Sequence, residues 1–248
     1  MRLAGSPRHQ NFSIASHYFD ILCAGVKQDI FPPANVAEAG EQLVDMLAHH
    51  EHAAEAEQEY RKLLALPFSA AARFVGNGEK WRTREMFRFR HFQAQAANRL
   101  ISFWHHEKNS AKANAIYKEL HGALSGDTIG EAYRVSAAKA LVERTGKTAD
   151  TSLAILNTLY IPENIFVTDD HGNIAMLDDK YVDSDMLLLR QDYLALYLYT
   201  ASLAAREGRA ALVEKLYAQS AQWPQDEQTI PVRKHMEIML REIGSNAK

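Results

Sequence analysis

Cysteine is almost absent from this chain, because Cys23 is the single one. One thiol excludes an internal disulfide and fits a reducing compartment. There is also no run of about 18 uncharged apolar residues, the length that a membrane-spanning helix needs. The first 12 residues contain no apolar segment typical of a signal peptide. These absences predict a soluble, cytoplasmic protein that makes no use of a membrane.

An excess of charge of either sign is missing as well. The formal net charge is -3 and the isoelectric point is about 6.4, so nothing global attracts nucleic acid or an anionic surface. Binding of that kind would need a local patch. The chain has 248 residues, of which 47% are hydrophobic and 24% charged, the composition of a globular protein with a sizeable core.

The motifs of common catalytic sites are also lacking. The sequence contains no G-x-S-x-G, phosphate-binding loop, G-x-G-x-x-G or C-x-x-C. Residues 49–52 are rich in histidine but offer no pair at i and i+4, the spacing that lets one helix hold zinc. A similar His-His-Glu at 105–107 favours a helix-end role for both clusters, through the helix dipole. The aspartates of 169–185 lack the alternating ligand pattern of a calcium loop. We therefore predict no catalytic residue, metal or cofactor.

Helical periodicity runs through nearly the whole chain. The clearest stretch is 192–224, which predicts two packed helices joined at Gly208 and stopped by Pro224. Weaker copies of this pattern predict further pairs. The predicted pairs lie near 36–66, 91–124, 130–161 and 192–224, after an amino-terminal helix and before a capping helix at 229–243. Asn35 is the expected cap of the first pair.

One segment breaks the helical pattern. At 165–177, short β-prone runs flank Asp170-His171-Gly172-Asn173, which is the composition of a tight turn. We expect a small β-hairpin there, inserted into a single all-α domain spanning 1–248.

The second helices of the pairs share a repeated face. Positions spaced 0, +4, +7 and +11 combine small residues with an aromatic in three copies of four and a closing proline in three copies of four. These sets are Ala56, Tyr60, Leu63, Pro67; Ala113, Tyr117, Leu120, Leu124; Thr151, Ile155, Thr158, Pro162; and Val213, Tyr217, Ser220, Pro224. With the Gly208 turn, this pattern resembles the tetratricopeptide-repeat superfamily in an irregular form. The resemblance implies an array of helix pairs that binds a peptide or protein segment.

The strongest local charge anomaly is the run 80–92, KWRTREMFRFRHF. Arg84, Arg88 and His91 share a helical face, and arginine binds carboxylates and phosphates while stacking on aromatic rings. The candidate binding residues of this run are Trp81, Arg82, Arg84, Arg88, Arg90 and His91. The alternative is that the arginines pair with acidic residues of a neighbouring helix, such as those of 178–185, while the aromatics fill the core.

Three functions follow from these patterns. The leading hypothesis is a non-enzymatic helical-repeat protein that holds a peptide or protein segment on a concave face of first helices; an acidic segment would suit the arginines. The second is a protein that binds RNA or a nucleotide through the run 80–92. The third is an all-α enzyme that uses histidine and glutamate residues.

Overall fold

The computed structural model describes residues 8–67, 69, 79–124, 128–145, 148–159 and 183–246. Over these residues the protein is all-α, as the periodicity predicts. The helices are α1 (Arg8–Lys27), α2 (Pro33–His49), α3 (Ala53–Leu64), α4 (Glu79–His106), α5 (Ser110–Leu124), α6 (Thr128–Thr145), α7 (Ala149–Leu156), α8 (Asp183–Arg206), α9 (Ala210–Gln219) and α10 (Thr229–Asn246). The predicted β-hairpin at 165–177 lies outside the described residues.

The chain divides into two compact units, Met1–Gly130 and Glu131–Lys248. In the first unit, α2 packs against α1, α3 and α4, and α5 packs against α4. In the second unit, α8 packs against α7, α9 and α10. The single domain expected from the sequence stays a prediction.

The start of α2 differs from the prediction that Asn35 caps it. The helix begins at Pro33, whose fixed φ suits a first helical position. The cap is supplied from α4, because Glu85 Oε1 accepts a hydrogen bond from the backbone N–H of Ala34 at 2.8 Å. The Asn35 side chain instead accepts one from Arg88, so the asparagine connects helices rather than ending one.

Four helices end in the same turn. Residues Asp29, Glu51, Lys108 and Gly208 have φ values of 57°, 64°, 56° and 70°. In each turn, the N–H of the next residue donates to the carbonyl five residues before it, at 2.7–2.9 Å. This is the Schellman arrangement, in which a left-handed residue lets the chain satisfy the last helical carbonyls. The helices α1, α2, α4 and α8 therefore end in equivalent ways.

These turns fix a common register for three hairpins, α2–α3, α4–α5 and α8–α9. Counting from the left-handed residue, position +5 is a fully buried small residue and position +9 is tyrosine in every copy. The +5 residues are Ala56, Ala113 and Val213, and the +9 residues are Tyr60, Tyr117 and Tyr217. The register corrects the alignment of the two His-His-Glu clusters. Because Glu51 and Lys108 are equivalent, residues 49–51 correspond to 106–108.

The first two hairpins stack with like helices side by side. On one side, α2 packs along α4, and Arg99 of α4 pairs with Glu41 and Asp45 of α2 at 3.3 Å. On the other side, Tyr60 of α3 donates a hydrogen bond to the carbonyl of Ile116 in α5 at 3.2 Å. The first unit is therefore built from two stacked copies of one hairpin.

A buried ion pair joins the elements of the second unit. Arg190 of α8 pairs with Asp226, and their side chains are 1% and 9% exposed. Asp226 Oδ1 also accepts hydrogen bonds at 3.0 Å from the backbone N–H groups of Gln228 and Thr229. One carboxylate thus caps the start of α10 and holds it against α8.

Candidate functional site

The run 80–92 lies within one continuous helix, α4. The side chains of Trp81, Arg82 and Arg84 lie outside the described part of the structure. His91 is half-buried, with its ring 5.4 Å from the ring of Phe92. The two remaining arginines of the predicted site are Arg88 and Arg90, and they have different surroundings.

Arg88 is engaged with α2. Its Nη2 donates to Glu38 Oε2 at 3.1 Å and to Asn35 Oδ1 at 3.3 Å. The guanidinium also lies 5.9 Å from the centre of the Phe92 ring. Arg88 therefore has an acidic partner in the preceding hairpin as well as Glu85 of its own helix, at 3.9 Å, and its side chain remains 37% exposed.

Arg90 is buried, with 5% of its surface exposed. Its Nη1 donates to Gln93 Oε1 at 2.7 Å, and Gln93 in turn donates to the carbonyl of Leu63 in α3 at 3.0 Å. Arg88 thus connects α4 to α2, and Arg90 connects it to α3 through Gln93. These contacts hold α4 against the first hairpin, and the ligand-binding role of the run stays a prediction.

A second candidate is a cleft of about 500 Å³ between α1 and the α2–α3 hairpin, which we name the α1–α3 cleft. Its lining carries three carboxylates, those of Asp20, Glu55 and Glu59, against one lysine, Lys62. The apolar part of the lining comes from Phe12 and Leu47, and the polar remainder includes Ser13, Ser16, His17, His52 and Gln58. The cleft therefore combines an apolar wall with an excess of negative charge.

Glu59 is the unusual residue of this cleft. It is 3% exposed, and one carboxylate oxygen, Oε1, accepts a hydrogen bond from Lys62 Nζ at 3.1 Å. The other oxygen, Oε2, is buried and has no hydrogen-bond partner among the described residues. A buried charge with an unsatisfied oxygen costs free energy. A cleft of this size with such a polar group in its lining is a candidate binding site.

The hairpin register shows how far Glu59 departs from its equivalents. Glu59 stands at position +8 from its left-handed residue, and the other two hairpins have Ile116 and Leu216 there. Both of these side chains are 1% exposed. The position is therefore apolar and buried in two of these three described hairpins, and it holds a carboxylate in the third.

Lys62 bridges two carboxylates of the cleft. Its Nζ lies 2.6 Å from Asp20 Oδ1 as well as 3.1 Å from Glu59. Burial alone would lower the pKa of Lys62, but the hydrogen bonds to the two carboxylates outweigh burial, and the pKa lies above its ordinary value. Nearby, burial and the charge of Asp20 raise the pKa of the Cys23 thiol to about 11. At neutral pH the lysine is charged and the thiol is protonated.

Sequence reasoning missed Glu59 because the α3 segment is rich in alanine and glutamate and looks like a solvated helix. The signal lies in the residue that precedes the tyrosine of the repeated face. The residue before each aligned tyrosine is Glu59, Ile116 or Leu216, and comparing these would have shown a charge in an apolar position.

Comparisons with known protein families, with curated proteins and with solved structures found no match. Within the described part of the chain, no helix has the length and apolar character needed to cross a membrane. Among the same residues, no three metal-ligating side chains come together in a possible ion site.

Proposed function

We propose that this protein is a non-enzymatic helical-repeat protein, similar in organisation to tetratricopeptide-repeat proteins, that binds a peptide or protein segment. The observation that carries the proposal is the common register of the three hairpins α2–α3, α4–α5 and α8–α9. Helix pairs that repeat one buried pattern and stack on one another generate extended surfaces of equivalent helices, and such surfaces bind segments of other proteins.

The stacking of the first unit supports this proposal. The first helix of one hairpin, α2, packs against the first helix of the next, α4. Their outward faces therefore lie side by side, as those of neighbouring first helices do in an array. Gln42 and Met46 of α2 are exposed, as is Arg99 of α4. This surface mixes an apolar side chain with polar and charged ones, which is typical of surfaces that form non-obligate contacts.

The proposal can be tested by site-specific photocrosslinking in the native cell. A benzophenone amino acid replaces Gln42 on α2, or Ala115 on α5 as the matched control. Both positions are exposed, but one lies on a first helix and the other on a second helix. The crosslinked partner is digested to find the attached segment, and a synthetic peptide of that segment is titrated against the full chain.

We expect one segment to be crosslinked from position 42 and not from position 115, and the synthetic peptide to bind. Equal crosslinking from the two positions, or none from position 42, would contradict the proposal. Attachment of RNA in place of a protein segment would also overturn it and would favour a nucleic-acid partner.

A further inference from the structure

We propose that the α1–α3 cleft binds a lysine side chain of the partner segment, through the carboxylate of Glu59. The inference rests on the proposed function, in which the cleft is occupied by part of another protein. It adds the chemical class of the side chain that binds. Two observations support it: the negative lining of the cleft, to which Asp20 and Glu55 contribute besides Glu59, and the burial of the Glu59 carboxylate in a position that is apolar in the other two hairpins.

The charge of the cleft selects a cation. Three carboxylates face one lysine in the lining, so an anionic ligand would meet net repulsion and a cationic one net attraction. In the part of the chain that the structure describes, Glu59 Oε2 has no hydrogen-bond partner. A ligand that donates to this oxygen would remove the cost of leaving it unsatisfied.

The single unsatisfied oxygen of Glu59 favours an ammonium over a guanidinium. A guanidinium binds a carboxylate best through two parallel hydrogen bonds, which need both oxygens. Oε1 already accepts a hydrogen bond from Lys62. An ammonium, which can bind through one hydrogen bond, therefore suits the remaining oxygen better than a guanidinium. The apolar wall of Phe12 and Leu47 then offers a surface for the alkyl stem of a lysine.

Lys62 keeps its place beside the proposed ligand. It contacts Glu59 Oε1 at 3.1 Å and Asp20 at 2.6 Å. An ammonium at Oε2 therefore adds a donor to Glu59 without displacing Lys62. Because Oε2 is buried, entry of this ammonium requires movement of the side chains that cover it.

The test is a titration of the full chain with Nα-acetyl-lysine methylamide, followed in amide NMR spectra at low ionic strength, where screening is weak. The uncharged analogue of the probe is Nα-acetyl-norleucine methylamide. The variants are Glu59→Gln, Lys62→Met and the matched control Glu57→Gln. Glu57 lies on the same helix but pairs with Arg61 and Lys112, outside the cleft lining.

We expect saturable shifts at residues 12–20 and 52–62 with the lysine probe and none with norleucine. Glu59→Gln should weaken binding by roughly tenfold or more, as loss of a buried charge partner does, and Glu57→Gln should leave it within about twofold. Lys62→Met should tighten binding, because it removes the positive charge of the one lysine in the lining.

Unchanged affinity in Glu59→Gln, equal weakening in Glu57→Gln, or the absence of shifts in the cleft would overturn the inference. Its failure is separable from that of the proposed function. If the lysine probe binds but no segment is crosslinked, the proposed function fails and the ammonium site stands. If a segment is crosslinked and its peptide binds the Glu59→Gln variant unchanged, the inference alone fails.

Discussion

At the scale of single residues, the left-handed turn shared by four helices was predictable from the sequence at only one of its four positions. Glycine at position 208 predicted a left-handed helix end, but the equivalent residues in the other turns are Asp29, Glu51 and Lys108. A side chain in this conformation costs about 1–2 kcal/mol. The Schellman hydrogen bonds and the packed hairpin offset that cost, so the turn forms without the residue that normally signals it.

We predict opposite stability changes at two equivalent positions. Lys108→Gly should raise the free energy of unfolding by about 0.5 kcal/mol, because relief of the left-handed conformation outweighs the extra chain entropy of glycine. Gly208→Ala should lower it by about 1 kcal/mol. Denaturant unfolding of the two variants and the parent chain gives both values, and changes of the same sign would show that the two turns are not equivalent.

The Asp226–Arg190 pair should make stability depend on acid pH. Burial would raise the pKa of Asp226, but hydrogen bonds from Arg190 and from the backbone of Thr229 and Gln228 outweigh it and lower the pKa. The stabilisation is therefore full above the unfolded-state pKa of about 3.9, and it is lost as the pH falls through the lower folded-state value.

The Asp226→Asn variant tests that dependence. It should lose about 3–5 kcal/mol at neutral pH, as broken buried pairs do. The difference in unfolding free energy between the parent chain and the variant should narrow as the pH falls below about 4, where Asp226 begins to protonate in the unfolded parent chain. Denaturant unfolding at several pH values measures this difference, and a constant difference would mean that Asp226 does not titrate as described.

At the scale of elements, periodicity located the helices better than it located their ends. The first helix of the second pair begins at Glu79 rather than near 91, and within it Arg88 and Arg90 are accommodated by Glu38 and Gln93. The third pair ends at Leu156 rather than near 161. Helix ends depend on contacts with other elements, which a single helical pattern does not contain.

The contact between α1 and α2 depends on a glycine. A Cβ at Gly40 would lie 2.6 Å from Cζ of Phe19, a ring that is 2% exposed. Gly40→Ala should therefore lower the free energy of unfolding by about 1–3 kcal/mol, as overpacking does, despite the better helix propensity of alanine. It should also displace α1 and weaken binding of the lysine probe.

The matched control is Gly122→Ala on α5, where a Cβ would meet nothing within 4 Å. This variant should be more stable than the parent by about 0.5–1 kcal/mol, since alanine has the higher helix propensity. Thermal unfolding compares the two variants. Equal stabilisation of both would mean that α1 does not rest on Gly40.

At the scale of the whole molecule, the sequence predicted an all-α chain and the recurring tyrosine face, because both depend on local periodicity. The array implied by the resemblance has first helices side by side, but the sequence did not predict the long-range pairs that hold α2 on α4, such as that of Arg99 with Glu41. The α1–α3 cleft was missed for the same reason. Its lining comes from three helices. Glu59 is recognised as a charge in an apolar position only when the hairpins are aligned by their turns.

The most direct test of this account is the free energy of unfolding of Glu59→Leu. If position +8 is a core position of a repeated hairpin and the carboxylate is there for binding, leucine should stabilise the chain by about 1–3 kcal/mol, because it removes a buried oxygen that has no hydrogen-bond partner among the described residues. Lys62 keeps Asp20 as its partner in this variant. Loss of stability in Glu59→Leu would contradict the account. It would mean that Glu59 stabilises the fold and that its position is not equivalent to those of Ile116 and Leu216.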